Sequence, residues 1–340
     1  MRFLHLSDLH IGRRLSGISL LDDQRAVLAQ AVEMAGECDA VLLAGDLYDK
    51  PQPPSEAIRA VSDFLVALRK LEKPVFAVSG NHDAPEQVAY CRELLGRCGV
   101  FLSPAFDGRL HGHTLRDACG EVRVWLMPFL RPSAVRPYFE DVRTFEDAVR
   151  AALSTAVREP GVRHVLVAHQ YVTGAATCDS EALSLGGADQ VSASLFEGFD
   201  YVALGHLHSP QKLCGGRVRY CGSPLKYSLS EERQRKAALL VDLGPEGLRE
   251  VARQCYDKAH YFAERLAAIG LPRREKGPFF HEFATECPGG PEKMLVALEE
   301  RDILGGQPMG DGRVLWCVTE KAERKRLDEA VAVIREVTNL

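Results

Sequence analysis

The sequence predicts an α/β protein, with a large layered domain followed by a small C-terminal α/β unit. Three observations point there. Short apolar runs of strand length recur through residues 1–243, and most of them stop at an aspartate, asparagine or histidine. Between them lie segments with apolar residues at helical spacing, and strand–helix alternation is the signature of helices packed on a sheet. With 340 residues, 46% of them hydrophobic, the chain has apolar mass for one large domain and a smaller one.

Residues 2–7 alternate apolar and polar and end at Asp8-Leu9-His10. Two positions apart in an extended chain, the carboxylate and the imidazole project to one side. Arg13 and Arg14 follow in a loop. Leu20 to Gly36 carries Leu21, Val27, Leu28, Ala31 and Val32 at helical spacing, with Asp22 and Asp23 at the end where the helix dipole favours anions. Ala40–Ala44 is a continuous apolar run of the buried-strand type, ending at Gly45-Asp46-Leu47-Tyr48-Asp49. Pro51, Pro53 and Pro54 mark a turn, after which Ser55 is expected to cap a helix running to about Lys70. Pro74–Val78 is the next strand and ends at Gly80-Asn81-His82-Asp83; Pro85, at a first helical position, opens a helix to about Cys98.

Gly99 to Gly120 reads as loop. Glu121–Met127 is a strand followed by Pro128-Phe129-Leu130-Arg131-Pro132, and Phe145–Arg158 is an amphipathic helix. His164–His169 is an apolar strand ending in a histidine. Phe199–Leu204 leads into Gly205-His206-Leu207-His208, where the glycine permits close backbone approach and the two imidazoles share one side. Val218–Cys221, a turn at Gly222-Ser223-Pro224 and a closing strand over Ala237–Leu243 complete the domain. The tail pattern is a helix over 246–269, a strand over 280–286, a helix over 291–302, a strand over 313–318 and a final helix over 322–337.

Composition excludes several classes. No apolar run approaches the ~20 residues that span a bilayer, and an acidic residue interrupts the start before any signal-peptide core. The ten cysteines form no C-x-x-C pair, and the spacings Cys91/Cys98 and Cys214/Cys221 are too long for a zinc knuckle. They read as reduced thiols of a cytoplasmic protein with no membrane association. The net charge of −5 argues against bulk electrostatic coating of nucleic acid, while leaving room for a local basic patch.

Collected from strand ends, Asp8, His10, Asp46, Asn81, His169, His206 and His208 form an oxygen and imidazole set without thiolate. Such a set suits Mn²⁺, Fe²⁺ or Zn²⁺ better than Ca²⁺ or a structural zinc. Seven ligands exceed what one ion takes and divide over two, with Asp46 as a bridging carboxylate holding the ions ~3.5–4 Å apart. A site of that kind clamps a phosphate ester and makes hydroxide from bound water near neutral pH. His82, beside Asn81, can present an imidazole to the leaving oxygen as general acid, with Asp83 to orient it. Any one of these residues alone is the pattern of a hydrogen-bonded structural side chain, and His5, His111, His113 and His164 read that way. What specifies a site is five motifs in this order, each behind an apolar strand.

The ordered set Asp8-Leu9-His10, Gly45-Asp46-Leu47-Tyr48-Asp49, Gly80-Asn81-His82-Asp83, Ala168-His169 and Gly205-His206-Leu207-His208 resembles the calcineurin-like metallophosphoesterases. That superfamily holds protein phosphatases, cyclic-nucleotide phosphodiesterases and nucleases, and the likeness implies a β-sandwich flanked by helices. Leu20–Gln24, Pro128–Pro132, His169–Gly174 and above all Arg219-Tyr220-Cys221-Gly222-Ser223-Pro224-Leu225-Lys226-Tyr227-Ser228 narrow it: over residues 1–243 the chain resembles the SbcD family of bacterial nuclease subunits. This implies a Mn²⁺-dependent exo- and endonuclease on DNA ends and hairpins, in repair and recombination, working with an SbcC-like ATPase. By the family pattern Asp8, His10, Asp46 and His208 hold one ion, Asp46, Asn81, His169 and His206 hold the other, and His82 is the catalytic acid. A homodimer interface near helices 22–36 and 85–98 is a further implication. Arg13, Arg14 and Lys226 are candidate phosphate contacts on DNA, and so are Arg233, Arg235 and Lys236, which fit a solvated charged face as well.

Past Leu243 the likeness changes. Gly244–Ala252, Lys258–Leu266, Gly277–Phe283, Ile303–Gly306 and Val318–Lys321 resemble the C-terminal part of subunit 1 of the decarboxylating glycine dehydrogenase family. The chain therefore reads as a chimera switching at Asp242–Gly247, with domains at 1–243 and 244–340. Pyridoxal phosphate chemistry needs a Schiff-base lysine in a formed phosphate site, and no such cofactor is expected here. In place of the segment that caps DNA and binds the ATPase in SbcD stands this tail. Two other functions follow from that: a phosphodiesterase on small substrates, and a module docking to a glycine cleavage partner.

Overall fold

Phe3 and Leu4 point to opposite faces of the first strand, and both are fully buried. That is the condition of a strand covered on both sides, and it explains why so many of the strands are continuous apolar runs without alternation. The computed structural model describes all residues except 176, 178–180, 182–188, 245–247, 288, 311, 320 and 339–340, and no side chains for 248–251. It divides into two units, Met1–Pro245 and Glu246–Leu340.

The first unit is a two-sheet sandwich. In chain order its strands are β1 (Arg2–Leu6), a ribbon of β2 (Arg14–Leu15) and β3 (Ile18–Ser19), β4 (Ala40–Ala44), β5 (Val75–Val78), β6 (Val100–Leu102), β7 (His111–Asp117), β8 (Gly120–Met127) and β9 (Arg163–His169). A second ribbon of β10 (Tyr171–Val172) and β11 (Gln190–Val191) follows, then β12 (Tyr201–Gly205), β13 (Gln211–Leu213), β14 (Val218–Tyr220) and β15 (Leu239–Asp242). One sheet has the order β15-β1-β4-β5-β6, parallel except for the edge strand β15. The other has the order β13-β14-β12-β9-β8-β7, parallel except for its two edges.

Between the sheets Phe3, Leu42, Phe76 and Val78 meet Val124, Leu126, Val165 and Val167 in one core. The outer face of the first sheet packs Leu4, Leu6, Val41 and Leu43 against α1 (Leu21–Ala35) and α2 (Ser55–Lys70), through residues such as Leu28, Phe64 and Leu68. The outer face of the second receives α6 (Phe145–Ser154) on Leu166, Val202 and Leu204. Each fully buried side chain of this size contributes about 1.5–3 kcal/mol, and emptying the Phe76 position to alanine costs about 3–5 kcal/mol.

Four details differ from the sequence expectation. The helix expected over 85–98 is two short pieces, α3 (Pro85–Val88) and α4 (Arg92–Arg97), with Cys91 between them at φ 55°. The reason is packing: Tyr90 is 76% and Leu94 62% exposed, so no buried stripe holds the two pieces in one helix. Ser55 is the first helical residue and does not cap; Pro54, extended at φ −66°, holds that place and makes no side-chain bond. Thr144 does cap, forming a reciprocal capping box with Asp147, and α6 stops at Ser154. Finally, the stretch read as loop holds β6 and β7; β7 is an edge strand of alternating half-buried and exposed residues, and its polar composition conceals it. A short helix α5 (Pro132–Val135) follows β8.

The second unit consists of α7 (Leu248–Ala268), β16 (Glu282–Glu286), α8 (Glu292–Glu299), β17 (Gln307–Pro308), β18 (Arg313–Cys317) and α9 (Arg324–Thr338). The three strands form an antiparallel sheet in the order β16-β18-β17, with Phe262, Leu266, Phe283, Leu298, Trp316 and Ile334 in its own core. Among the described residues no helix is long and apolar enough to cross a membrane.

Candidate metal centre

The C-terminal ends of β1, β4 and β5 in one sheet and of β9 and β12 in the other bring all seven strand-end residues together. Asp8 and His10 follow β1, Asp46 follows β4, Asn81 follows β5, His169 ends β9, and His206 and His208 follow β12. Every one but Asn81 is buried, and Asn81 is half-buried. The backbone there is unusual. Asp8 (φ 53°), His10 (φ 44°), Asp46 (φ 51°) and His206 (φ 107°) are all left-handed, a conformation that costs about 1–3 kcal/mol at each such residue. It is held by cross-loop bonds: Asp8 N donates to Gly45 O at 3.0 Å, and His10 N to Asp46 O at 2.9 Å.

Two glycines let the pieces approach. A Cβ on Gly205 would lie 1.9 Å from Ala44 O, and one on Gly80 2.1 Å from Asp46 Oδ1. The close approach anticipated at Gly205 is thus the meeting of the two sheets.

Among the described residues, the donor atoms here fall into three overlapping sets, Asp8, His10 and His208; His10, Asp46 and His82; and Asp8, Asp46 and His169, those within each set lying within 4.8 Å of one another. Asp46 stands between the His10 side and the His169 side. His10 Nε2 lies 3.1 Å from His208 Nε2 and 3.6 Å from Asp46 Oδ2. On the other side, Asn81 Oδ1 lies 2.9 Å from both His169 Nε2 and His206 Nδ1, and His169 Nε2 is 3.4 Å from Asp46 Oδ2.

The outer nitrogens show what the inner ones are for. His169 Nδ1 faces Ala44 O at 2.8 Å and His208 Nδ1 faces Glu231 Oε1 at 3.1 Å. Each outer nitrogen must donate, which turns a neutral ring's inner lone pair toward the other acceptors. Lone pairs and carboxylate oxygens converging on one point require a cation, so the donor set fits divalent metal. His206 Nε2 is buried and without a hydrogen-bond partner, so that ring is not spent on structure.

The electrostatics agree. Burial disfavours charge on His169, yet the Asp46 and Asp8 carboxylates raise its pKa to about 9. Burial lowers His206 to about 3, aided by His169, and holds His10 well below the usual range. Asp8 is pushed up to about 6, mainly by burial. Burial acts the same way on Asp46, but His169, His10 and His82 overcome it and hold that carboxyl far below the ordinary value.

His82 stands at the edge of this group, half-buried, its ring centroid 4.8 Å from that of His10. Its Nδ1 lies 3.1 Å from the Asp49 carbonyl oxygen. The expectation that Asp83 orients it is corrected here: Asp83 accepts N–H bonds from Leu47, Tyr48 and Gly80 at 2.9–3.1 Å and ties the β4 and β5 loops together. Both of its oxygens are committed to backbone, and the Asp49 carbonyl takes the orienting place. Arg13 donates to Asp49 Oδ1 at 2.7 Å. Arg13, Arg14, Lys50 and Asp49 line a cavity of about 640 Å³. Arg14 bonds the Gly17 carbonyl at 2.5 Å, and the exposed Lys226 bonds that of Glu232.

Sequence reasoning missed Glu231. It has no exposed surface, and besides His208 it accepts from Tyr227 N at 3.2 Å and pairs with Lys236 at 2.5 Å. Lys236 also donates to His208 O and Ser223 Oγ, both at 2.8 Å, so it is neither a phosphate contact nor a solvated charge. Arg233 does fit the solvated reading, 94% exposed beside Glu232. Nothing in Ser228-Leu229-Ser230-Glu231-Glu232 marks one glutamate as buried. Gln24 was also missed: its amide donates to Leu9 O and His10 O and fixes the loop that carries His10. Phe129, from Pro128–Pro132, stacks on His206 with centroids 6.1 Å apart. The four histidines set aside as structural have structural surroundings: His5 meets Tyr201 Oη at 2.9 Å, Trp125 donates to His164 at 3.2 Å, His111 pairs with Asp107 at 2.9 Å, and His113 packs on Phe101.

A family model for calcineurin-like phosphoesterases matches residues 1–210. Among solved structures, a glycine decarboxylase (P-protein) of the glycine cleavage system in inhibitor-bound form is similar at 23% identity over 80% of this chain and 68% of that one, with a TM-score of 0.26. TT1561 of Thermus thermophilus is similar at 15% identity over 65% of this chain and 89% of that one, with a TM-score of 0.37. A complex between the cystine C-S lyase C-DES and cysteine persulfide follows at 12% identity, 92% and 85% coverage and a TM-score of 0.24.

Proposed function

We propose, from the premise that this chain belongs to the calcineurin-like phosphoesterase family, that it is a two-metal phosphodiesterase cutting DNA at ends and hairpins. Metal-dependent phosphoester hydrolysis comes with the family; the DNA substrate and the preference for Mn²⁺ are our reading. The observation that carries it is the place of Asp46 Oδ2, 3.6 Å from a nitrogen of one donor group and 3.4 Å from a nitrogen of the other. A carboxylate shared in this way is the bridge that a dinuclear site needs.

Asp8, His10, Asp46 and His208 would hold one ion, and Asp46, Asn81, His169 and His206 the other. Bound there, two divalent ions supply Lewis-acid neutralisation of the phosphate and a water acidified enough to serve as nucleophile near neutral pH. The chain's own groups do the rest. His82, held through Nδ1 by the Asp49 carbonyl, gives a proton from its other ring nitrogen to the leaving oxygen. Arg13, fixed by Asp49, and Arg14 line the adjoining cavity and bind backbone phosphate. Support for DNA comes from those two arginines together with the Arg219–Ser228 segment and its likeness to SbcD, which also makes an SbcC-like ATPase the partner to look for.

The test is cleavage of an end-labelled duplex and a labelled hairpin with Mn²⁺, wild type against Asp46→Asn. Wild type cleaving no faster than Asp46→Asn sinks the reading. Turnover of bis-p-nitrophenyl phosphate without any DNA cleavage replaces it with a phosphodiesterase of small substrates.

A further inference from the structure

We propose that the C-terminal unit carries a metal site of its own, held by His281, Glu282 and Cys317 and suited to a borderline divalent cation of the Zn²⁺ type. A ring nitrogen of His281, a carboxylate oxygen of Glu282 and Cys317 Sγ lie within 4.8 Å of one another. The strand ladder creates this arrangement. Glu282, first in β16, is the direct partner of Cys317, last in β18, and directly paired residues of an antiparallel ladder place their side chains on one face. His281 is tied to the same ladder, because Val318 N donates to His281 O at 2.9 Å. All three donors therefore sit on backbone fixed by pairing, which is the preorganisation a metal site needs.

The imidazole converges on the other two side chains without being satisfied by them. His281 Nε2 stops 3.9 Å from Glu282 Oε1, beyond hydrogen-bond distance. His281 Nδ1 is buried and has no hydrogen-bond partner. Imidazole, carboxylate and thiolate are the three side-chain types Zn²⁺ accepts, and three protein ligands leave a fourth position open to water or a ligand. The set differs in kind from the N-terminal donors, which include no sulfur. That difference makes the two sites separable by spectroscopy, and the inference stands or falls apart from the function proposed above.

The metal-stripped full-length chain is titrated with Co²⁺ while the near-ultraviolet thiolate-to-cobalt charge-transfer absorption is followed. Wild type is expected to develop the band, Cys317→Ser to lack it, and Glu282→Gln and His281→Ala to need at least about tenfold more Co²⁺ to reach it. Zinc content measured after dialysis should fall by one ion per chain in Cys317→Ser, with bis-p-nitrophenyl phosphate hydrolysis at the wild-type rate. Cys317 is exposed, so serine is expected to fold there, and far-ultraviolet circular dichroism checks that. Should it not fold, the Glu282→Gln titration decides. Absence of the band in wild type, an equal band in Cys317→Ser, or unchanged Co²⁺ demand in Glu282→Gln overturns the site.

Discussion

Glu231 Oε1 lies 3.1 Å from His208 Nδ1, and the glutamate has no exposed surface. Its second oxygen is taken by Lys236 and the Tyr227 amide, so the carboxylate is fixed from both ends and in turn fixes the imidazole's tautomer and tilt. Outer partners of metal-binding histidines are worth about 10–100-fold in metal affinity. Glu231→Gln keeps an acceptor for His208 and is expected to fold while binding Mn²⁺ more weakly. Glu231→Ala strands a buried lysine and costs about 3–5 kcal/mol of stability. Calorimetric Mn²⁺ titration of the metal-stripped chains measures the first effect and urea unfolding the second. Wild-type affinity in both variants would leave Glu231 no positioning role.

His82→Gln separates acid catalysis from metal binding. The half-buried ring touches the donor group at its edge, its backbone N–H donating to Asp46 Oδ1 at 2.9 Å. A general acid is worth roughly 10²–10⁴-fold in rate, and most of that is needed only when the leaving group is poor. The variant is expected to retain two Mn²⁺ per chain, to lose DNA cleavage by that factor, and to lose much less on bis-p-nitrophenyl phosphate, whose leaving group needs little protonation. Loss of a metal ion instead would make His82 a ligand, as its distance from the His10 and Asp46 donor atoms allows.

That these seven residues gather in one place was legible because each candidate ligand sits where an apolar strand stops. The period-2 rule already placed Asp8 with His10 and His206 with His208 on a common side. Asp83 was misassigned because an aspartate beside a candidate acid histidine looks the same in sequence whether it bonds the imidazole or three backbone amides. Lys236 and Glu231 were hidden for a related reason. Two charges that neutralise each other inside the fold cannot be told from surface charges until the loop over 223–236 is seen to close on His208. The loop reading over 99–120 failed because an edge strand needs only one apolar face, and His111, His113 and Leu115 supply it weakly.

Gly205→Ala tests whether the sheets meet as tightly as they look. The added methyl would lie 1.9 Å from Ala44 O and 2.8 Å from His169 Nδ1. Both neighbours are backbone-fixed or already bonded, so β12 must move away from β4. Overpacking of this kind costs about 1–3 kcal/mol or more. A lower melting temperature together with weaker Mn²⁺ binding is expected, since the shift carries His206 and His169 apart. An unchanged melting temperature would show that the seam has slack.

Acid should destabilise the first unit through histidines that bind no metal. Burial pushes His5 down to about 3 and His113 down to about 4, the latter with help from His111. In the unfolded chain both take up protons near 6.5. Below that pH the unfolded state binds more protons than the folded one, so their contribution is whole above pH 6.5 and is lost as pH falls toward 3. For His5 the slope approaches about 1.4 kcal/mol per pH unit within that window. Urea unfolding at pH 7, 6, 5 and 4 should therefore show stability falling with pH. His113→Phe keeps the ring against Phe101 and removes the proton site, and should flatten the slope while leaving stability at pH 7 within about 1.5 kcal/mol. An identical slope in wild type and His113→Phe would place the acid lability elsewhere.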